Sequence, residues 1–222
     1  MKKGLFILLI FCFSLTVISC TDDKEESTEN SGTTTTTDDT TTSSGLYVAV
    51  GNSATVLKSS DGTTWTTVSA TYEHPDNGTI SLAGNFNGVT YGSSTFVAVG
   101  TTSTGSTSIL TSTNATAWTH RTSGTTNSLQ DVTYGNSTFV AVGSSGTVLK
   151  STDGTTWTTV SATDSDNGSN SLLVDVKGVT YGSSTFVAVE GTSGIITSTD
   201  ATAWTHRTSG TTNTLNGVTY KE

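Results

Sequence analysis

The chain has 222 residues, of which 9 are Lys or Arg and 18 are Asp or Glu, giving a net charge of -9. That length suits one domain or a tandem array, not a multidomain assembly. The acidic balance argues against a nucleic-acid partner: phosphate contacts need clustered cations, and Arg121 and Arg207 are the only arginines. With 32% hydrophobic residues, a core must be assembled economically from repeated small units.

Lys2 and Lys3 precede an apolar run from Leu5 to Ile18, broken only by Ser14 and Thr16. A short positive start and such a run read as a secretory signal over residues 1–19. The run is shorter than the roughly 20 apolar residues of a spanning helix. It ends Val17-Ile18-Ser19-Cys20, which resembles the lipobox of bacterial lipoproteins. In that motif a small residue precedes a cysteine that is lipidated and becomes the mature N-terminus. The other reading is an ordinary signal with an incidental cysteine. Lipidation is favoured because Cys12 leaves with the signal, and Cys20 is then the sole cysteine, so no internal disulfide can form. Acyl chains such as palmitate contribute about 0.8 kcal/mol per buried methylene, enough together to anchor a protein. The resemblance implies an extracytoplasmic protein held on a bacterial outer membrane or cell surface.

Residues 20–44 read as a Thr-rich acidic tether. After Cys20 they hold ten Thr and seven acidic residues against Lys24. Such a composition cannot offset the entropy of folding, so the sequence predicts disorder and a mean span of about 27 Å. Lys24-Glu25-Glu26 is similar to the acidic export signal of surface lipoproteins in Bacteroidetes-type bacteria, or is a solvated charge cluster. Asp39-Thr40-Thr41 resembles an O-glycosylation acceptor of the same bacteria.

The remaining residues, 45–222, repeat one unit four times. Gly88-Val89-Thr90-Tyr91-Gly92 recurs as Asp131-Val132-Thr133-Tyr134-Gly135, as Gly178-Val179-Thr180-Tyr181-Gly182, and once more as Gly217-Val218-Thr219-Tyr220. An aromatic then leads Val-Ala-Val at Tyr47, Phe96, Phe139 and Phe186. A short apolar pair follows, and each unit reaches one Trp: Trp65, Trp118, Trp157, Trp204. Starts at 88, 131 and 178 give a repeat of roughly 40 to 50 residues, the size of a four-stranded propeller blade. Phe96-Val97-Ala98-Val99 is apolar on both sides, so both faces of that strand should be buried. Thr64 to Val68 alternates, as a half-exposed outer strand would, and Asn-Gly or Asp-Gly pairs supply hairpin turns.

The units fall at about 45–87, 88–130, 131–177 and 178–216. The first lacks its opening Val-Thr-Tyr strand, and residues 217–222 hold a spare one. The sequence therefore predicts an all-β fold: a small propeller of four four-stranded blades, closed by the C-terminal strand. Units one and three match around their Trp residues, as do units two and four, so a two-unit cassette is duplicated.

Ser59-Ser60-Asp61-Gly62-Thr63-Thr64-Trp65 resembles the Asp box of the sialidase and BNR-repeat propellers, and of the photosystem assembly-factor (Ycf48-like) propellers. The resemblance covers nearly all of 45–222. The box residues are Ser59, Asp61, Gly62 and Trp65; Ser112, Asn114 and Trp118; Ser151, Asp153, Gly154 and Trp157; Ser198, Asp200 and Trp204. This box is one residue shorter between Asp and Trp than the usual one, and Asn114-Ala115 and Asp200-Ala201 replace Asp-Gly in alternate units. A carboxylate at a turn accepts the N–H groups that follow it, glycine permits a positive φ, and the Trp covers the turn. The resemblance implies a structural box, away from the ligand face.

A sialidase-type site holds its substrate carboxylate with three arginines, and this chain has two, at equivalent positions of duplicated units. No nucleophile constellation stands out, so no catalytic residue, metal or cofactor is expected. The candidate ligand contacts are His120, Arg121, His206 and Arg207; the alternative is a solvated outer strand. Two insertions, from Ala70 to Asn87 and from Ser161 to Lys177, should project from one face as loops. Asp164, Asp166 and Asp175 could place calcium in the second, against a plain type I′ turn. The expected function is a lipid-anchored module that binds or scaffolds a protein or glycan. The alternatives are a carbohydrate-active hydrolase of the Asp-box type and an assembly factor for a membrane complex. Oligomeric state is left open.

Overall fold

The computed structural model describes residues 45–222 except 75–77, 82, 161–162 and 165–173, and the side chains of 73–74, 78–81 and 163–164 are also not described. The signal, Cys20, the tether and Asp166 lie outside the described residues, as do most of the Asp-Asn-Gly triplets.

Four separate sheets follow one another along the chain. The first holds β1 (Tyr47–Val50), β2 (Val56–Ser59) and β3 (Thr66–Thr67). Next come β4 (Thr71–His74) and β5 (Gly78–Ser81). The second sheet is an antiparallel meander of β6 (Gly84–Gly92), β7 (Thr95–Thr102), β8 (Thr107–Ser112) and β9 (Ala117–Arg121). The third repeats it with β10 (Leu129–Gly135), β11 (Thr138–Gly143), β12 (Val148–Ser151) and β13 (Thr158–Val160). After β14 (Thr163–Asp164), the fourth holds β15 (Val176–Gly182), β16 (Thr185–Glu190), β17 (Ile195–Ser198) and β18 (Ala203–Arg207). Among the described residues no helix is long and apolar enough to cross a membrane.

The insertions differ from the loops expected. β4 runs parallel to β9 and pairs with β5, so the first insertion extends the second sheet as a hairpin. β14 pairs parallel with β18 in the same way. Each insertion therefore covers the outer edge of the following sheet. That protects backbone N–H and C=O groups which a bare edge would leave open.

The core is three apolar layers, one between each pair of consecutive sheets. Phe96 and Ala98 pack toward the first sheet, with Val56 and Trp118. Val97 and Val99 pack toward the third, with Phe139, Ala141 and Leu149. Val140 and Val142 in turn meet Phe186, Ala188 and Trp204. Alternate residues of each middle strand thus feed alternate layers, and Phe96 to Val99 is buried throughout, as the apolar run predicts. Each large side chain buried this way contributes roughly 1.5–3 kcal/mol.

The inner strands set the spacing between sheets. The ring of Tyr134 lies on Gly92, Tyr181 on Gly135, and Tyr220 on Gly182. A Cβ at any of these glycines would fall inside the ring, so the bare backbone is what lets neighbouring strands approach. Each ring in the first two steps also packs on the aromatic that opens its own middle strand. Tyr134–Phe139 centroids are 4.6 Å apart and Tyr181–Phe186 centroids 4.7 Å. Asp131 adds a polar tie: its Oδ1 accepts the N–H of Val132 at 2.8 Å and its Oδ2 accepts the N–H of Val179, on the next inner strand, at 2.9 Å. Burial pushes that carboxyl upward, against the pull of those two N–H donors.

The array does not close on itself. Residues 217–222 form no strand, and among the described residues β1 pairs with β2 alone. The expected pairing of the last segment with β1 is therefore not met. The segment follows β15 through the Gly178–Gly217 and Gly182–Tyr220 contacts and makes no strand pairing with β1.

Gly135→Ala should destabilise the fold by about 3 kcal/mol, because Tyr181 is packed on both sides and cannot yield. Within a single chain Gly182→Ala should cost less than about 1 kcal/mol, because there Tyr220 is 43% exposed and can swing away. Urea unfolding of the two variants checks the difference.

Candidate functional site

Strand register fixes which groups share an end of the sheets. In the fourth sheet Phe186 faces Ser198 and Gly182 faces Thr185, so the box turn and the inner hairpin share one end. Ile195 faces Arg207 and Val176 faces Glu190, so these four lie at the other end. The second sheet repeats this, with Ile109 facing Arg121. The His and Arg candidates thus sit opposite the boxes.

At the box end the bonding is local. Asp61 Oδ1 accepts the N–H groups of Thr63 and Thr64, each at 2.8 Å, and the Ser59 hydroxyl at 2.9 Å. Asp153 makes the same three bonds with Thr155, Thr156 and Ser151. The backbone donors, first Thr64 or Thr156, hold both carboxyls well below the usual carboxylate range. Asp200 is lowered by the Thr202 N–H above all. Asn114 accepts from Thr116 and Ala117 at 2.9 and 3.0 Å with a neutral amide oxygen. The turn therefore needs an oxygen acceptor, not a charge. Indole positions differ between the cassette halves. Trp157 Nε1 donates to Gly154 O at 2.9 Å and Trp65 Nε1 to Gly62 O at 3.2 Å. Trp118 and Trp204 are buried, at 1% and 0% exposed, and among the described residues their Nε1 atoms have no hydrogen-bond partner.

A cleft of about 270 Å³ opens at this end between the third and fourth sheets, where Lys150 Nζ donates to Thr202 Oγ1 at 2.8 Å and Asp200 lies nearby. The first and second sheets make the equivalent bond, Lys58 to Thr116 Oγ1 at 2.6 Å. Both bonds span the two halves of one cassette.

At the opposite end, Arg121 Nε donates to Thr111 Oγ1 at 2.9 Å and Arg207 Nε to Thr197 Oγ1 at 3.0 Å. Each guanidinium is steered along its own sheet. The third sheet stands between the two, so the structure does not bring them into one constellation. Beside them lie two shallow, hydroxyl-rich hollows. One, of about 600 Å³, is lined by Thr107, His120 and residues 122–127. The other, of about 480 Å³, is lined by residues 208–212.

The second-insertion calcium reading does not gain support from Asp175. Its Oδ1 accepts the Ser145 N–H at 3.0 Å and its Oδ2 the Lys177 ammonium at 3.0 Å, and the Ser145 donor chiefly lowers its pKa. Asn85 accepts the Ser53 N–H at 3.0 Å in the matching place, with no charge at all. Asp175 is thus a turn acceptor. Among the described residues no three His, Cys, Asp or Glu gather as a metal would need.

Glu190 was not singled out from the sequence. It is 2% exposed, and its Oε2 lies 3.7 Å from His206 Nδ1. The signal was there: Gly51, Gly100 and Gly143 follow Val-Ala-Val in the other units, and Glu190 breaks the series. The break is a swap of volumes. Gly143 N–H donates to Thr147 O, and Glu190 N–H to Gly194 O, both at 2.9 Å. Gly plus Thr in the third unit becomes Glu plus Gly in the fourth, and a Cβ at Gly194 would strike the Glu190 carboxylate. His120 has Gly100 where His206 has Glu190, so the duplicated histidines are not chemically equal.

No family model matches the chain, and no curated protein does. Solved structures do. A structure described as YCF48 bound to D1 peptide superposes with a TM-score of 0.55 at 20% identity, over 79% of this chain and 53% of that one. YCF48 from Cyanidioschyzon merolae gives 0.49 at 17% identity, over 78% and 55%. A glycosyl hydrolase from Bacteroides ovatus gives 0.37 at 12% identity, over 66% and 56%. The fold is of the β-propeller type. The chain spans about half the length of these structures.

Asp153→Ala should cost on the order of 1 kcal/mol at neutral pH, as for a lost helix-cap bond. Asp153→Asn should cost much less, since Asn114 already serves. The folded-state pKa of Asp153 is depressed, so its contribution is complete above the unfolded value of about 4 and fades as pH falls below it. The asparagine variant should therefore lose Tm less steeply than the parent between about pH 4 and pH 2, read by thermal melts across that range.

Proposed function

We propose that the chain is a membrane-anchored, extracytoplasmic binding module whose His/Arg end receives an extended protein segment. The observation that carries this is the separation of ends. Tight, self-satisfied box turns occupy one. The other offers guanidinium groups, imidazoles and hydroxyl-lined hollows on a rigid β scaffold, which is where recognition loops work best. Threonine and serine hydroxyls donate and accept, so they suit the alternating N–H and C=O of an extended backbone. A YCF48 structure with a peptide bound, on a similar fold, supports a protein partner. The Asp-box resemblance and a four-bladed, four-stranded plan remain part of this reading. So does attachment through a lipid on Cys20, at a bacterial outer membrane or cell surface.

The carbohydrate-active reading lacks a supporting arrangement here, because the two arginines lie on separate sheets. An assembly-factor role is a special case of the proposal, in which the bound segment belongs to a membrane protein.

The double variant Arg121→Ala/Arg207→Ala should weaken binding on a peptide array about tenfold or more while leaving Tm within a few degrees, since each loses a charge-assisted contact. Binding or turnover confined to a glycan panel would overturn the peptide reading. Cys20→Ser should move the protein from the detergent phase to the aqueous phase on partitioning of cell membranes.

A further inference from the structure

Two edges of the array are bare, and each holds what the other lacks. β7, β11 and β16 each pair with an inner strand on one side. Among the described residues β1 has no such partner. Apolar side chains crowd the gap: Leu46, Tyr47, Trp65 and Tyr91 are 43%, 55%, 41% and 56% exposed. Tyr91 is bare because no inner strand precedes β6 to supply the glycine on which Tyr134 and Tyr181 rest. Trp65 is bare for a related reason, since its counterpart Trp157 packs into the layer between the second and third sheets. At the far edge, residues 217–220 lie where a fourth inner strand would. Gly217 closes on Gly178, the Tyr220 ring on Gly182, and Tyr220 Oη is 2.9 Å from Ser183 Oγ. Among the described residues no further sheet packs on them.

We propose that a second copy of this chain joins these edges: residues 217–220 of each copy pair with β1 of the other, making a two-fold ring of eight sheets. The register follows from the fourth sheet, where Val179 faces Ala188, Thr180 faces Val187 and Tyr181 faces Phe186. Val218 then faces Ala49, Thr219 faces Val48 and Tyr220 faces Tyr47. The junction repeats the inner-to-middle strand pairing that three sheets of the chain already make. It also covers an aromatic patch of a kind soluble surfaces rarely leave open.

A second copy fits better than the chain's own tail because of the curvature. Among the described residues the last segment leaves β1 unpaired and Leu46, Tyr47, Trp65 and Tyr91 exposed, so the four sheets stand as an open arc of a propeller-type fold. Two such arcs complete a circle, within the usual range of about four to eight blades, and reciprocal exchange gives the self-complementary contact of a two-fold dimer. One position departs from the pattern. Lys221 stands where β6, β10 and β15 carry glycine. The Tyr91 ring above it must turn outward and rest on the lysine methylenes, which its exposed site permits. The proposal is independent of what the His/Arg end binds.

The test uses the full chain in detergent. One copy carries Ala49→Cys and a differently tagged copy carries Val218→Cys; the unsubstituted chain controls for Cys12 and Cys20. Mild oxidation should yield a disulfide-linked pair bearing both tags. The chain's mass by light scattering should be that of two copies, and Thr219→Pro should reduce it to one while leaving cooperative urea unfolding. A disulfide formed within single chains of the Ala49→Cys/Val218→Cys double variant would place the tail beside its own β1 and overturn the proposal. So would the absence of any cross-link, or a two-copy mass that survives Thr219→Pro.

Discussion

The contact on which the architecture depends is a tyrosine ring lying on a glycine of the preceding inner strand. Inner strands of neighbouring sheets are not joined by a continuous ladder, so something else must fix their distance. Ring thickness does it. Glycine removes the only atom that could intrude, the ring fills the space, and the middle-strand aromatic locks the ring from the side. Once that spacing is set, Val, Leu and Ile from adjacent middle strands fall into contact and the three apolar layers form. This is an economical way to build a core from a chain poor in apolar residues, since each Tyr-Gly step serves two sheets.

Much of this was legible in the sequence because repetition lets weak signals reinforce one another. A single Phe-Val-Ala-Val run could be helix or strand. Three of them, each between Tyr-Gly and an apolar pair, read as doubly buried strands. The turn chemistry was legible for the same reason, down to the acceptor role of Asp61 and Asp153. What escaped was whatever depends on relations between units. The hairpin of β4 and β5 along β9 has no local periodicity that separates it from a loop. The unpaired edge of β1 also escaped, because a spare strand at one end and a missing one at the other satisfy a closed ring on paper. Whether they meet depends on the angle between sheets, which side-chain thickness sets and no motif records.

The alternation within the box shows a trade between two costs. Gly62 and Gly154 take φ near +70° freely, whereas Ala115 and Ala201 are held at +55° and +58°. Left-handed alanine costs about 1 kcal/mol. Both methyls are fully buried, however, and join the apolar layers beside Trp118 and Trp204. A buried methyl returns about 0.8 kcal/mol. The terms nearly cancel, so each cassette half can keep its own solution. In one the indole sits outside and donates to a carbonyl. In the other it sinks inward and leaves its N–H unmatched.

Divergence between duplicated units is the better guide to function than the repeats themselves. Positions shared by the three complete units, such as Tyr and Gly of the inner strands, are explained by packing and need no ligand. Positions shared by alternate units, such as Arg121 and Arg207, are steered by a threonine of their own sheet and present the same group twice. Glu190 belongs to neither set. It puts a carboxylate in a place where packing alone is met by glycine, and it required a compensating glycine at 194. Holding a carboxylate at 2% exposure carries a desolvation cost that an apolar residue would avoid. The His206 contact offsets part of that cost and makes the fourth sheet's end chemically distinct from the second's. A partner that reads this surface therefore meets two related but unequal patches, and the unequal one is where selectivity can arise.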